Sequence, residues 1–530
     1  MRTDPPRHLY LILPNPRRRR RRAGDWTRLV LAVALVVVAG TGAWWGPFLW
    51  RRWGCADGAL PSAAVWGSAG ECVGLTEGPY AFGLPEFAAV LGVIDAQNRA
   101  AADRCGGTPA TVGVLMTMTD QFAGARAVHE LEGMAAAQAR ANGTACLHPT
   151  RLLVGNVGRY DGTSTAVDVA RAMAARPEVV AVAGVGLSHQ SSAEVADLLA
   201  ADRIPMVSDL ITAEGFDQEG SRADDPGFQT CDRGTTYRDG VGEDYFRRVA
   251  FRAAAQIAEL HRLVPARPDF LMVPTGGSDP YTCTALPLMQ RGFGGEVPAV
   301  KFDAQDPSTV PQTARRVCAK SGAVTVAYIA RGRDLGRFLY SLDEAFGAGQ
   351  CPAESITVLS TSDGNRVRAV ESDPVLEDLR VKALGSGTFA DGRVRLVLTL
   401  VAGADASTPD APGYAEFEKT FTGAGFDLAH TDDGWAVNAY DALTTVSHAL
   451  RALPAGRPVA RGGVATEMGF ANSPDRAVPG AGGPITFDNA GNRTDAPPVV
   501  RLCPLPPPTG DHPARVTSVP VHTPGTPATC

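Results

Sequence analysis

No G-x-S-x-G, H-E-x-x-H or Walker A sequence occurs in this chain of 530 residues, and its nine histidines are scattered. Hydrolases of the first two types and P-loop enzymes each need residues that are missing here, so no catalysis is expected. No C-x-x-C pair is present and no cysteine has a histidine at metal-ligand spacing, which argues against a zinc site. The run Gly184-Val185-Gly186-Leu187-Ser188-His189 starts like a dinucleotide fingerprint but lacks the third glycine. No cofactor is expected. Basic charge is concentrated in one block, Arg17 to Arg22, while the whole chain carries a formal net charge of −6. The folded part therefore lacks the basic face that nucleic acid requires.

What is present begins with an export segment. Leu29 to Trp50 gives 22 residues without a charge, enough to cross a hydrocarbon core of roughly 30 Å. Arg17 to Arg22 and Arg28 outnumber Arg51 and Arg52, so a single-pass anchor is expected at 29–50, with a basic tail at 1–28 in the cytoplasm and the rest outside the cell. A cleaved signal, or a lipoprotein signal ending at Cys55, is the alternative; Arg52 and Trp53 occupy the places where a lipobox has an aliphatic and a small residue. All ten cysteines, Cys55 to Cys530, follow this segment, and their even number suggests disulfides, with buried free thiols as the other reading. Asn142-Gly143-Thr144 and Asn492-Arg493-Thr494 match the glycosylation pattern.

Residues 51–110 read as a juxtamembrane segment with one helical pattern, Glu86 to Ala102. Beyond it, short β-branched runs alternate with amphipathic stretches, which means an α/β protein with parallel sheets covered on both faces. The clearest unit is Val179 to Ser208: a strand to Ala183, turns at Gly184 and Gly186, a helix whose Ser191 and Glu194 have capping-box spacing, and a strand Ile204 to Val207. A bare helix N-terminus at such a strand end favours an anionic ligand group. Asp217 to Asp244 reads as a surface insertion. After it come a helix Tyr245 to Leu260 and a second α/β lobe, in which strand Ala323 to Ile329 and helix Leu335 to Phe346 are prominent. Strand Arg393 to Val401 and helix Trp435 to Leu453 follow, and 503–530 is a Pro/Thr-rich tail, extended or disordered unless Cys503 and Cys530 loop it back.

Six blocks in order, among them VGVLMTMTDQFAGARAVHELEGMAAAQARANG, the Val179 to Ser208 unit, DPYTCTALPLMQRGFGG, ITVLSTSDG, VNAYDALTTVSHAL and GPITFDNAGNR, resemble the type I periplasmic-binding-protein family. The likeness is to its branched-chain amino acid (Leu/Ile/Val-binding protein-like) branch of ABC transporter substrate-binding proteins. It covers Thr111 to Leu502, with a threonine where the family has a glycine after Tyr281. The resemblance implies a bilobed fold of two Rossmann-like lobes joined by three crossovers, lobe 1 at 111–246 and 360–475, and lobe 2 at 247–359 and 476–502. A ligand would sit in the cleft between them, and closure would be a hinge motion.

The same resemblance implies the binding residues. Ser188, His189, Gln190, Leu210 and Thr212 match the positions that hold a ligand carboxylate through hydroxyls and backbone N–H groups; Ser188 is otherwise a turn residue, and His189 replaces the family's small residue. Tyr281 would wall the pocket. Asp306, or Asp303, would meet an ammonium group, unless both are loop or capping residues. The function so implied is a membrane-anchored extracellular solute-binding protein that captures an amino acid or similar small polar solute for an ABC permease. A ligand-sensing receptor ectodomain with a signalling partner, and a structural envelope protein on a degenerate binding fold, are the alternatives.

Overall fold

The computed structural model describes residues 30, 54–56, 64–105, 109–144, 148–160, 164–220, 240–275, 279–294, 297–408, 412–505, 515–525 and 528–530. The expected tail at 1–28, nearly all of the anchor at 29–50, and 221–239 of the insertion lie outside the described residues. Among the described residues, no helix is long and apolar enough to cross a membrane.

Two seven-stranded sheets each carry one lobe. In the first, β1 (Val65–Ser68), β2 (Glu71–Thr76), β3 (Ala110–Met116), β4 (Thr150–Asn156), β5 (Val179–Ala183), β6 (Met206–Ser208) and β7 (Phe246–Arg248) lie in the order β1-β2-β4-β3-β5-β6-β7. Strands β3 to β7 pair in parallel, and β1 and β2 are added antiparallel at one edge. β3 and β5 are buried along their whole length, as expected for parallel strands with helices on both faces. Residues 64–105, expected as a segment separate from the first lobe, extend its sheet, and the helix Ala88–Cys105 packs on it through Val90, Leu91 and Ile94. β1 and β2 are four and six residues long and interrupted by glycine, too short for their alternation to register in the sequence.

The second sheet comprises β8 (Phe270–Thr275), β9 (Ala299–Asp303), β10 (Gly322–Tyr328), β11 (Ala353–Ser360) and β12 (Val394–Thr399). After a two-stranded hairpin, β13 (Val478–Gly480) and β14 (Gly483–Ile485), it is completed by β15 (Val499–Pro504) and β16 (Val516–Pro520), in the order β16-β15-β12-β11-β10-β8-β9. The chain therefore passes between lobes three times, near 250, 400 and 495.

Several expectations need correction. β12 pairs with β11 and β15 in the second sheet, whereas the resemblance implies the first lobe for all of 360–475; β13 and β14 pack on the first, with Ile485 and Val478 in its core, whereas the resemblance implies the second lobe for 476–502. Strand partners are chosen non-locally, so neither was readable from the segment itself. The helix expected from Tyr245 is a strand, β7, followed by a helix only at Ala253–Leu263. The N-cap before Gln190–Ala201 is His189, whose side chain accepts from the Ser191 N–H; Ser191 and Glu194 form no capping box. In the tail, β16 joins β15 and Cys503 is bonded to Cys530. Cys55–Cys72 and Cys318–Cys351 are also disulfides, and no described cysteine is free. Asn492 is buried, with its side-chain amide donating to Asp217, so it is closed to glycosylation in the folded chain.

The lobe 1 core depends on a close helix crossing. Gly133, in Arg126–Thr144, faces the Ala436 carbonyl of Trp435–Ala452, and a Cβ there would lie 2.1 Å from that oxygen. Gly133→Ala is expected to destabilise by about 1–3 kcal/mol, read as a lowered melting temperature; wild-type melting would mean the two helices separate without cost.

Candidate functional site

The carboxyl ends of both sheets face the gap between the lobes, and the segments that follow β5, β6, β8, β10 and β11 line it. Ser188, after β5, is 1% exposed. Its hydroxyl accepts the N–H groups of Thr212 (3.0 Å) and Ala213 (3.1 Å) from the segment after β6. Leu210 and Thr212 are buried beside it, and the Thr212 Oγ1 has no hydrogen-bond partner. Tyr281, in the first turn of the helix Pro280–Gly292, is fully buried, and its hydroxyl meets that of Thr361. Burial pushes its phenol well above the usual range.

His189 and Gln190 turn elsewhere. The His189 ring stacks on Tyr160 with centroids 4.6 Å apart, and burial lowers its pKa. The Tyr160 hydroxyl accepts the Leu187 N–H in the loop before the helix, and the His189 ring nitrogen accepts the Ser191 N–H, so the helix start is not bare. Gln190 reaches along its own helix to Glu194 (3.4 Å). Asp306 is exposed and caps the short helix Pro307–Thr309 through the Ser308 N–H (3.1 Å), and Asp303 accepts the Gln305 N–H at the end of β9. Thus Ser188, Leu210, Thr212 and Tyr281 converge, while Gln190, Asp303 and Asp306 are spent on local structure.

Sequence reasoning missed the residue at the centre. Arg331, after β10, is 8% exposed. Its Nη2 donates to the Asp279 Oδ1 and to the Ser188 carbonyl, both at 2.8 Å, and its Nε donates to the same Asp279 oxygen at 3.1 Å. Nη1 lies 3.6 Å from the Asp363 Oδ1. The guanidinium carbon is 4.8 Å from the Tyr281 ring centre and 5.7 Å from that of Phe122. Burial alone would depress such a group, but the Asp279 and Asp363 carboxylates hold it above its ordinary value. Asp279 is itself placed as the N-cap of Pro280–Gly292, its other oxygen accepting from the Thr282 N–H and hydroxyl. Across the gap, Arg126 lies 4.2 Å over Trp435 and donates to the Phe122 carbonyl at 2.6 Å.

Two spaces result. Between Leu187, Leu210, Thr212, Arg331, Asp363 and Trp435 only about 20 Å³ remains, about the room one water needs. Toward the second lobe, about 290 Å³ is open beside Phe122, Thr275, Asp279, Leu286, Phe302, Arg331 and Arg333, near the lower end of the roughly 300–1,000 Å³ of small-molecule sites. Its charged lining is balanced, Arg331 and Arg333 against Asp279 and Asp334, and Phe122, Leu286 and Phe302 supply apolar walls. A small solute that is neutral overall, with an apolar body and polar ends, matches it.

The sequence matches no protein-family profile and no curated protein. Solved structures do match. The branched-chain amino acid transporter substrate-binding protein LivJ of Streptococcus pneumoniae, solved with isoleucine, superposes at a TM-score of 0.52 and 14% identity, covering 78% of this chain and 100% of that one. A solute-binding protein of an ABC transporter from R. palustris, solved with 4-hydroxybenzoate, gives 0.54 at 14% identity over 79% and 98%. A substrate-binding protein from Sphaerobacter thermophilus gives 0.53 at 17% over 78% and 99%. The chain has the bilobed type I periplasmic-binding-protein fold of the branched-chain amino acid and related ABC transporter substrate-binding proteins.

Proposed function

We propose that this chain is an extracellular solute-binding protein, held at the cell membrane by residues 29–50, that captures a small polar solute of amino acid type without transforming it and passes it to an ABC permease. The observation that carries the reading is the cavity of about 290 Å³ at the carboxyl edge of the second sheet, walled across the gap by Phe122 of the first lobe. A solute there touches Phe122 of the first lobe and the walls of the second, so binding adds contacts between the lobes. The solved relatives with isoleucine and with 4-hydroxybenzoate direct the screen to amino acids and small aromatic acids.

The test is a thermal-shift screen of the purified full chain. A ligand at 100 times its dissociation constant stabilises by about 2.7 kcal/mol, which a melting curve resolves. Ala304→Trp, which fills the cavity from its wall, is expected to weaken binding at least 100-fold while leaving the unliganded melting temperature near wild type. A flat screen on folded protein sinks the capture reading. It would favour a structural envelope role, the reading supported by how little space the deeper cleft retains.

A further inference from the structure

We propose that Arg331 is a tethered ligand: its guanidinium occupies a cation site built from both lobes and ties them together across the cleft. The site has what a free guanidinium requires. Asp279 accepts from Nε and Nη2, Asp363 stands 3.6 Å from Nη1, and Tyr281 offers its ring at 4.8 Å. Carboxylate pairing and stacking on an aromatic face are the two modes in which guanidinium exceeds ammonium. These groups belong to the second lobe; the Ser188 carbonyl, which takes the remaining strong bond at 2.8 Å, and the Phe122 ring belong to the first. One side chain therefore satisfies an acidic compartment in its own lobe and ties that compartment to the other lobe.

The tether sets the competition. A group attached through a short linker acts at an effective concentration in the millimolar range or above, so a dissolved cation at micromolar concentration does not displace Arg331. The acidic compartment is closed to free cations in the wild-type chain and opens to them only when the side chain is removed. Without Arg331, Asp279 and Asp363 face each other across an unfilled space and the Ser188 carbonyl loses its partner from the other lobe. This inference does not depend on the capture of any solute, so a flat ligand screen leaves it standing.

Hydrogen–deuterium exchange on the full chain tests it, with methylguanidinium as the probe. In Arg331→Ala, the amides of 210–214 and 280–284 are expected to exchange at least tenfold faster than in wild type. Methylguanidinium at about 0.1 mM, below the effective concentration of the tethered side chain, should restore protection in the variant and change nothing in wild type. Arg331→Lys keeps the charge without the fork; it should show an intermediate loss and no rescue, and it provides the comparison if the alanine variant fails to fold. Wild-type exchange in both variants, or an equal response of variant and wild type to methylguanidinium, overturns the proposal.

Discussion

Arg248→Met is expected to destabilise the first lobe by about 3–5 kcal/mol, the range for removing one member of a buried ion pair. Arg248 is fully buried at the end of β7. Its Nε donates to the Asn492 Oδ1 and its Nη1 to the Ala213 carbonyl, each at 2.6 Å, while Nη2 lies 3.4 Å from the Asp217 Oδ2. This one cation fastens three segments: the strand, the loop after β6 and the turn that follows β14. Methionine fills much of the volume but leaves Asp217 buried without its cation, and Glu214, already raised by burial and tempered by Arg248, rises further. Chemical denaturation followed by circular dichroism gives the cost. Arg171→Met, at a pair in which both partners are about half exposed, should change stability by no more than about 0.5 kcal/mol. Equal effects at the two positions would show that burial does not set the strength of the Arg248 network.

Stability is also expected to fall as pH rises from 5 to 8, because two buried carboxyls keep protons in the fold. Glu130 and Asp209 are both fully buried and lie against each other, carboxyl to carboxyl. Burial pushes Asp209 up to about 7, and burial together with Asp209 pushes Glu130 well above its ordinary range. Unfolded carboxyls lose their protons near pH 4. Above that pH the folded state binds more protons than the unfolded one, so this contribution is fully present below about pH 4 and is lost as pH climbs through the folded values. Between pH 5 and 8 the loss is about 3 kcal/mol from a carboxyl titrating near 7 and about 4 kcal/mol from one that stays protonated throughout, on the order of 7 kcal/mol together. In Glu130→Gln an amide donor replaces the shared proton, and the decline should flatten. Melting temperatures of the two proteins across that range decide the matter; parallel declines would place the titrating group elsewhere.

The sequence is legible where local pattern and tertiary role coincide. Val179–Ala183 is β-branched, flanked by Gly184 and Gly186 at φ 77° and 89°, and forms the expected buried strand. Ser188 and Tyr281 lie in the blocks that carry the resemblance, and both are buried beside Arg331. Legibility fails where a charged residue is buried. Arg248 gives β7 the look of an amphipathic helix surface, and Arg331 follows a strand where arginine ordinarily marks solvent. Each is buried because its partners come from distant segments: Asn492 for Arg248, Ser188 and Asp279 for Arg331. Asp306 shows the converse. Its position pointed to the cleft, but a serine two residues on supplied a local N–H, and the carboxylate turned to cap it.

The disulfides at the two ends of the folded region give the molecule a mechanical polarity. Cys55 is bonded to Cys72 on β2, at the edge of the first sheet, and Cys530 to Cys503 on β15 in the second. Each end of that region is thus welded to a different rigid body, with little slack before the body itself must move. A fluorophore on each end would gauge the angle between the lobes directly, and a load applied between the ends would fall on the three crossings near 250, 400 and 495 before it reached either core.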